Sequence, residues 1–332
     1  HPPEAIPPLE QIEFSPPNGF QRAHSSVPPG TWSDDGAQAL VLLHSLLACD
    51  GLDLDHFAKG LSRWRSEGFC AVDGKVFDVG IQTSAALARL AAGTHPTRSG
   101  PNGERDNGNG SLMRVLPLAL WLQGSDEELA RLAGQQALPT HGHPRSQIAC
   151  ALYCFWIRAV LEDASDPWED AERRLRAIAT TLSYPTTEVE IVLDPVNAAE
   201  PRGTGYVVDA LWSARAAVAS TSNFEDCVRA AIALGNDTDT TAAIAGGVAG
   251  AMYGLAGIPS RWRHALRGSE LLEPLVAALL ESKSPMPSTS TNAQNSDSHP
   301  IKIATVRVLN GRIGVTFCPG KKQRGAMSGD WD

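Results

Sequence analysis

The sequence is short of basic residues. Its 332 residues include 28 Lys and Arg against 37 Asp and Glu, so the net charge is -9. This acidic balance argues against a nucleic-acid backbone or an anionic membrane as a partner and leaves small molecules or proteins. A polyanionic ligand would need local help from metal ions or backbone N–H groups, because the overall field repels it.

The six cysteines include no CxxC pair, and most of them lie in apolar stretches. This pattern indicates buried thiols in a reducing compartment, and we expect a cytoplasmic protein. Cys150 and Cys154 are one helical turn apart, but no second Cys or His pair completes a zinc site, so burial is the favoured interpretation.

No signal peptide is visible in the sequence, which begins with His1 rather than Met. We infer that its true start has been removed. The uncharged run 242–258 is dominated by Gly and Ala. It falls short of the roughly 18 strongly apolar residues of a membrane span, and we expect a buried helix there.

Helical periodicity runs from residue 33 to about residue 283, with apolar residues three and four positions apart. Since 42% of the residues are hydrophobic, the chain can fill a sizeable core. The pattern predicts an all-α fold, a multi-helix orthogonal bundle. The predicted helices are 34–49, 54–66, 77–92, 111–122, 126–136, 144–162, 168–182, 205–219, 224–234, 240–255 and 271–282.

The composition changes after residue 282. Residues 283–300 are rich in Ser, Thr, Asn and Pro, which predicts a disordered linker. Residues 301–317 alternate around Asn310-Gly311, the strongest short signal for a β-hairpin. We therefore expect a domain over 1–282, a linker over 283–300, and the beginning of a truncated second domain over 301–332.

Ser33, Asp34 and Asp35 form the first acidic cluster, in GTWSDDGAQAL. A Ser followed by two carboxylates is also typical of any helix start, because the hydroxyl caps free N–H groups and the charges favour the positive end of the dipole. Taken alone, capping is the favoured interpretation.

Asp237, Asp239 and Thr240 form the second cluster, in LGNDTDTTAAIAG. Residues two apart point to opposite sides of a regular helix, so both Asp can serve one ion only if the segment is irregular, which Gly235-Asn236 permits. Oxygen ligands suit Mg²⁺, Mn²⁺ or Ca²⁺ rather than zinc, and the EF-hand pattern is absent. If the fold brings both clusters together, they could hold two divalent ions, without which their repulsion would be prohibitive.

A flexible turn at Gly108, Asn109, Gly110 and Ser111 precedes a predicted helix. Its N–H groups could cradle a phosphate, although Gly-Asn-Gly is common in ordinary turns. Arg114 could add a cation or simply cap a structural carboxylate.

Three further sites have more than one interpretation. His141 and His143 precede Pro144, where they are a weak zinc signal, plain loop residues or hydrogen-bond donors to a ligand. Asp78 could orient a cationic group or be a first-turn acid of a helix. Tyr206 could stack on an adenine, although most such tyrosines only pack.

Six segments, in this order, resemble the ADP-ribosylglycohydrolase family over about residues 30–262: GTWSDDGAQAL, FDVGIQT, NGNGSLMRVLPLAL, THGHP, GTGYVVDAL and GNDTDTTAAIAGGVAGAMYG. The resemblance implies an all-α fold, a binuclear Mg²⁺ or Mn²⁺ centre, and an ADP-ribosylated protein or small ADP-ribosyl substrate. The metal ligands that it implies are Ser33, Asp34, Asp35, Asp237, Asp239 and Thr240. The substrate-binding residues that it implies are Gly108, Asn109, Gly110, Ser111 and His141 for ADP-ribose, Tyr206 for its adenine side and Asp78 for the leaving side chain.

The sequence departs from the family pattern in three places. Gly36 follows Asp35 where members have Asp-Asp-Thr, and Asn236 stands where they have Gly-Gly-Asp, but the carboxylates are retained. The N-terminal Gly-Asp-Ala-Leu-Gly helix, which in the family precedes a Glu that completes the metal site, is missing, so we expect this chain to lack a ligand.

The C-terminal tail resembles the opening of a dual-specificity phosphatase domain. Cys318 and Arg324 have the spacing of a phosphatase loop, but Phe317 and Lys321 stand where that loop has His and Gly. The spacing is therefore interpreted as a coincidence.

The resemblance predicts hydrolysis of the glycosidic bond of an ADP-ribosylated side chain, with Asp34 or Asp35 taking the proton of a bound water. Arginine is the favoured acceptor because Asp78 could pair with a guanidinium, while serine or a small ester stays open. The alternatives are a catalytically impaired ADP-ribose-binding module, an accessory domain of a protein phosphatase, and a structural protein without a ligand.

Overall fold

The computed structural model describes residues 1–194, 200–283, 303–308 and 311–316. Within these ranges the fold is a bundle of helices, which confirms the all-α prediction. The helices are α1 (Asp34–Cys49), α2 (Leu54–Glu67), α3 (Ile81–Ala91), α4 (Pro96–Ser99), α5 (Leu116–Trp121), α6 (Asp126–Ala137), α7 (Pro144–Leu161), α8 (Pro167–Ala179), α9 (Thr186–Leu193), α10 (Val207–Ala219), α11 (Phe224–Ala233), α12 (Thr238–Gly257), α13 (Ser260–Ala265) and α14 (Ser269–Ser282). Short 3₁₀ helices cover Pro3–Ala5, Leu9–Gln11 and Val72–Gly74.

Two strands follow the helical part. β1 (Ile303–Val308) and β2 (Gly311–Thr316) pair antiparallel, with Ile303 opposite Thr316 and Val308 opposite Gly311. The two strands agree with a hairpin over this segment, but Gly311 pairs with Val308 inside β2, whereas a turn centred on Asn310-Gly311 would leave Gly311 outside the strands. The predicted linker beyond Lys283, the tail after residue 316 and the cysteine at position 318 lie outside the described residues.

The most deeply buried helix is α7, in which residues 148–157 are all no more than 3% exposed. α7 contacts α6, α8, α9, α10 and α12. On α12, the predicted small-residue helix, Gly247 allows Tyr153 of α7 to approach, and the Tyr153 hydroxyl donates to the carbonyl oxygen of Ile244 at 3.1 Å. The Ala- and Gly-rich run of α12 therefore serves close packing, as expected. None of the described helices is long and apolar enough to cross a membrane.

Four cysteines are buried and Cys49 is exposed, all as free thiols. Cys150 accepts a hydrogen bond from Gln136 at 3.4 Å and donates to the Ser111 hydroxyl at 3.5 Å. Burial raises the pKa of Cys150 to about 11, so its thiol stays protonated. The prediction of buried thiols is confirmed for four of the five described cysteines.

Several helices begin at a side-chain cap. Asp53, Ser125 and Asn223 accept hydrogen bonds from backbone N–H groups in the first turns of α2, α6 and α11. Such caps satisfy donors that the helix itself leaves free. The first turns of α1 and α12 are different, because neither Ser33 nor Asp237 makes a side-chain cap bond.

Two predicted helix starts are wrong. The helix predicted from residue 77 begins at Ile81, because Asp78 has a left-handed backbone (φ 55°) and Gly80 is extended. Asp78 is therefore not a first-turn acid. The helix predicted from residue 111 begins at Leu116, because Asn109 accepts from the N–H groups of residues 112 and 113 in a tight turn.

Three helices were not predicted, namely α4, α9 and α13. α9 contains the β-branched run TTEVEIV, which has low intrinsic helix propensity. Val189, Val192 and Leu193 are buried there, so packing outweighs propensity.

Candidate active site

The first acidic cluster lies buried at the start of α1. Asp34 and Asp35 are each only 6% exposed. The hydroxyl of Ser33 donates to Asp35 Oδ2 at 2.8 Å and makes no cap bond to the helix. The capping interpretation of Ser33 is therefore wrong, and its oxygen serves the carboxylate instead.

The second cluster lies at an irregular first turn of α12. Gly235 and Asn236 have left-handed backbones (φ 75° and 55°), and Asp237 follows with a non-helical φ of -96° and ψ of 73°. Asp237 and Asp239 are consequently close. Burial and the charge of Asp239 raise the pKa of Asp237, against the hydrogen bond that Asn109 donates to it.

The two clusters, about 200 residues apart in sequence, meet in space. Burial, then the charges of Asp35 and Asp239, raise the pKa of Asp34 to about 9. Burial and the charge of Asp239 raise the pKa of Asp35 as well, although hydrogen bonds from Ser33 and Thr240 oppose the shift. Carboxylates that share a buried site must bind protons or cations, because their mutual repulsion is strong at low dielectric.

One oxygen of this cluster is left without a partner. Asp35 Oδ1 is buried and accepts no hydrogen bond from the part of the chain that the structure describes. An unpaired buried carboxylate oxygen is costly and fits a cation ligand. No three His, Cys, Asp or Glu side chains among the described residues could hold an ion by themselves. The hydroxyls of Ser33 and Thr240 lie with these carboxylates, so the donors gathered here are hard oxygens, which would suit Mg²⁺ or Mn²⁺.

Arg114 is fully buried next to the first acidic cluster and is linked to it through Gln38. Its Nη1 donates to Gln38 Oε1 at 2.8 Å and its Nε to Gln136 Oε1 at 3.0 Å, while Gln38 Nε2 lies 3.4 Å from Asp34 Oδ2. Burial lowers the pKa of Arg114 to about 10, so the guanidinium remains charged. Sequence reasoning missed Gln38, although its position one turn after Asp34 was a usable signal.

The glycine turn is tied to its surroundings by its own N–H groups. Gly108 N donates to Gln82 Oε1 at 3.1 Å, and Asn109 N donates to the carbonyl oxygen of Gly205 at 3.0 Å. Gln82 Nε2 in turn reaches the carbonyl oxygens of Asp106 and Thr140. The predicted N–H cradle at a helix start is therefore wrong for Gly108 and Asn109, and Gln82, inside the motif FDVGIQT, is a positioning residue that was missed.

The side chains of this turn face inward. Asn109 Nδ2 donates to Asp237 Oδ2 at 2.8 Å, which joins the turn to the second acidic cluster. Ser111 is fully buried, and its hydroxyl accepts from Cys150. Only Gly108 and Gly110 of the four are partly exposed.

His141 packs directly beneath the glycines. It is 1% exposed, and its Nδ1 lies 2.8 Å from the hydroxyl of Thr140. Burial, then the charge of Arg114, lower the pKa of His141 to about 3, so the imidazole is neutral. A Cβ at Gly110 would lie 2.9 Å from His141 Cε1. His143 caps α7 by accepting from Arg145 N, so the zinc interpretation has no support among the residues described.

Tyr206 lies beside the glycine turn, and its hydroxyl is bound by Arg145. Gly108 and Tyr206 form an isolated antiparallel bridge. The Tyr206 hydroxyl accepts from Arg145 Nη1 at 3.2 Å, and Arg145 binds Glu188 through two contacts of 2.7 and 3.1 Å. Arg145 and Glu188 were missed, because Glu188 lies on α9, which was not predicted.

A cavity of about 920 Å³ opens beside the two clusters. Asp78, Gly205, Asp237 and Asp239 line it together with residues of the segment 14–31. This volume is within the range of small-molecule sites. Asp78 is 45% exposed there, and its charge contributes to the raised pKa of Asp34.

The segment 14–31 is anchored at Glu13, which sequence reasoning also missed. The Glu13 carboxylate accepts from Arg229 Nη2 at 3.2 Å, from Arg261 Nη2 at 2.9 Å, and from Trp262 Nε1. Arg229 also donates to the carbonyl oxygen of Ile12 at 2.8 Å. Glu13 therefore links the start of this segment to α11 and α13, while the N–H of Arg267 holds its other end by donating to the carbonyl oxygen of Gly30 at 2.9 Å.

Comparisons with known proteins agree with this geometry. The family model described as ADP-ribosylglycohydrolase matches residues 2–287. An ADP-ribosylarginine hydrolase Tri1 from Serratia proteamaculans is 30% identical over 260 residues, which cover 76% of this chain and 67% of the relative. An ADP-ribosyl-(dinitrogen reductase) glycohydrolase from Rhodospirillum rubrum is 29% identical over 234 residues, 70% of this chain and 73% of the relative. A solved structure described as an ADP-ribosylglycohydrolase-related protein complex superposes with a TM-score of 0.64 at 32% identity, over 83% of this chain and 93% of the other.

Proposed function

The chain belongs to the ADP-ribosylglycohydrolase family, and from that premise we propose that it hydrolyses the glycosidic bond between ADP-ribose and an arginine side chain with two Mg²⁺ or Mn²⁺ ions. The relatives named as ADP-ribosylarginine hydrolase and as ADP-ribosyl glycohydrolase support a hydrolase that removes ADP-ribose. The arginine preference and the metal dependence are the finer parts of the proposal.

The observation that carries the proposal is the meeting of a buried acidic pair, Asp34 and Asp35, with the partly exposed Asp237 and the exposed Asp239 beside a cavity. Asp34 and Asp35 come from α1, and Asp237 and Asp239 from α12. Burial and the charges of neighbouring carboxylates raise the pKa values of Asp34, Asp35 and Asp237, and Asp35 Oδ1 has no partner among the described residues. Such a cluster costs stability in a purely structural protein and is favourable where cations bind.

The ions would be held by Ser33, Asp34, Asp35, Asp237, Asp239 and Thr240. When bound, they supply Lewis-acid polarisation of a water and of the sugar hydroxyls. Asp34 or Asp35 would accept a proton from the attacking water, since both carboxylates lie together at the start of α1. Arg114 holds Asp34 in place through Gln38.

ADP-ribose would lie along the glycine turn. Gly108 and Gly110 lack side chains, so a ligand can approach the backbone there, above the neutral ring of His141. Asn109 links this turn to Asp237, and Ser111 packs it against α7. Tyr206 presents a half-buried ring for the adenine side, fixed by Arg145.

Asp78 would bind the leaving side chain. Its carboxylate is exposed in the cavity near Asp34, and a guanidinium pairs with a carboxylate better than a neutral hydroxyl does. Arginine is therefore the preferred acceptor.

The test is release of ADP-ribose from an ADP-ribosylated arginine peptide, measured in saturating Mg²⁺ and after chelation. We expect turnover only with the metal. Asp237→Asn combined with Asp239→Asn should reduce kcat by about 10³-fold or more, since ligand loss removes the charge stabilisation that typically supplies such factors.

The matched control is Asp55→Asn, which changes an exposed carboxylate in the first turn of α2 and should leave kcat unchanged. Binding of ADP-ribose without turnover, under any metal condition, would instead identify a non-catalytic ADP-ribose-binding module. Turnover that is unaffected by chelation would contradict the metal part of the proposal.

A further inference from the structure

Asp78 is already in contact with an imidazole side chain of the cavity lining. His24 Nε2 lies 3.2 Å from Asp78 Oδ2, and the two side chains are 38% and 45% exposed. Both residues line the cavity beside the acidic clusters. The carboxylate assigned to the leaving group is therefore paired before any substrate arrives.

The backbone fixes Asp78 in this position. Its φ of 55° is left-handed, a conformation that Asp tolerates better than most residues. The preceding ring, Phe77, contacts the His24 ring at a centroid distance of 5.2 Å. The same short segment thus supplies both the carboxylate and an apolar surface for the imidazole.

Hydrogen bonds within and to the segment that carries His24 also fix its position. Arg22 donates to the carbonyl oxygens of Ser25 and Val27 at 2.9 and 2.8 Å, which closes a turn around His24. Lys75 donates to the carbonyl oxygen of Ser26 at 3.1 Å and ties that turn to the segment before Asp78. The approach of His24 to Asp78 is consequently built into both segments.

We propose, on the basis of the proposed hydrolysis at arginine, that His24 is a specificity-determining residue, which occupies Asp78 until the guanidinium of the substrate displaces it. A guanidinium binds a carboxylate best through both of its oxygens. His24 sits on Oδ2, so the full bidentate contact forms only when the imidazole moves away. His24 therefore weakens the binding of cationic leaving groups and returns to Asp78 when the freed arginine leaves.

This competition gives His24 an effect opposite to that of ordinary structural damage. Removing a competitor strengthens the binding of a guanidinium, whereas loss of packing weakens the binding of every ligand. ADP-ribose itself carries no leaving side chain, so its affinity is independent of His24. The expected change is about two- to fivefold, the range for a solvent-exposed ion pair.

The experiment compares the wild-type protein with His24→Gln and His24→Ala at one pH. We expect both variants to lower KM for the ADP-ribosylarginine peptide about two- to fivefold with kcat within about twofold, by the same estimate. Calorimetry with ethylguanidine, in the presence of ADP-ribose, should give a correspondingly lower Kd. The affinity for ADP-ribose alone and KM for an ADP-ribosylserine peptide should stay unchanged.

The Asp78→Asn background completes a double-mutant cycle. There the substitution of His24 should have no effect, and an equal gain in that background would overturn the inference. It is also overturned if both His24 variants bind ethylguanidine no more tightly than the wild type. Absence of turnover in the wild-type protein counts against the proposed function instead, while ethylguanidine binding still decides the role of His24.

Discussion

At the scale of single residues, Asp35 shows how the site is balanced between repulsion and ligation. Its Oδ2 accepts from Ser33, while its buried Oδ1 has no partner among the described residues. Burial and the charge of Asp239 both raise its pKa. The carboxylate therefore carries a cost in the absence of a cation, and we expect a bound cation to offset that cost.

The effect of Asp35→Asn on thermal stability should consequently be stabilising without Mg²⁺ and destabilising with it. In chelator, the variant should melt about 2–4 °C above the wild type, because it removes roughly 1 kcal/mol of buried repulsion. In saturating Mg²⁺ the wild type should gain about 2.7 kcal/mol at a hundredfold excess over Kd, and the variant much less. Thermal melts with and without Mg²⁺ measure both effects, with Asp55→Asn as the control. An equal Mg²⁺ response in Asp35→Asn would contradict the assignment of this ligand.

Gly110 tests the contact between the glycine turn and His141. In Gly110→Ala the new methyl group would lie 2.9 Å from His141 Cε1, so the turn or the ring must shift. We expect the Kd for ADP-ribose to rise about tenfold, since a displacement of this kind at a positioned site costs on the order of 1.4 kcal/mol. Gly250→Ala on α12 is the control, because its methyl would only touch Phe224 at 4.0 Å. Equal ADP-ribose affinity in both variants would argue against a ligand at this turn.

At the scale of elements, α7 and α12 approach each other over a single glycine. A Cβ at Gly247 would lie 2.3 Å from the Tyr153 hydroxyl, whereas one at Gly246 would lie 3.6 Å from Val228, an ordinary contact. The two neighbouring glycines therefore form a matched pair for substitution.

Gly247→Ala should lower the free energy of unfolding by about 1–3 kcal/mol, the usual range for overpacking. Gly246→Ala should be neutral or stabilising by up to about 1 kcal/mol, because alanine has the higher helix propensity. Urea denaturation measures both. Tyr153→Phe should restore part of the loss in Gly247→Ala, and a failure to do so would place the clash elsewhere.

The elements that sequence reasoning could predict are those whose periodicity is amphipathic or continuous. The predicted helix 34–49 has the same bounds as α1, and the segments around α7 and α12 were placed to within two residues. The β-branched α9 was missed, and the start of α3 was placed too early, because burial and the φ of Asp78 depend on contacts from distant segments. Such contacts leave no local pattern.

The same limit applies to the site. The oxygen-rich clusters at the starts of two helices could be predicted, because Ser, Asp and Thr are recognisable in the sequence as oxygen ligands. The residues that hold these clusters in place could not be predicted. Arg114 and Gln38 are 76 residues apart in the sequence, and Arg145 and Tyr206 are 61 residues apart. Whether Asp34, Asp35, Asp78 and the other predicted site residues carry their assigned roles stays a prediction until the variants are measured.

At the scale of the whole molecule, the cavity depends on how the N-terminal segment is attached. Although burial opposes it, hydrogen bonds from Arg261, Phe14 N–H and Trp262 lower the pKa of Glu13 from 4.5 to about 2. Because the folded-state value is depressed, this stabilisation is complete above pH 4.5 and is lost as the pH falls towards 2.

Glu13→Gln should therefore release the segment 14–31 at neutral pH, as acid does in the wild type. Hydrogen exchange should show lower protection factors across this segment, with α7 unchanged, and KM for the arginine substrate should rise because one wall of the cavity is lost. Glu67→Gln, which changes an exposed partner of Arg63 on α2, is the control. Unchanged protection in Glu13→Gln would mean that other contacts hold the wall.

Asn109 joins the two halves of the site, since its backbone N–H holds Gly205 and its amide donates to Asp237 Oδ2. A ligand that moves this residue alters the electron density available at Asp237 for a cation. Thermodynamic reciprocity then requires that a cation on Asp237 change the affinity for that ligand by the same factor. The proposed recognition of ADP-ribose and the proposed metal loading would thereby form one cooperative equilibrium, in which the supply of either component affects the occupancy of the other.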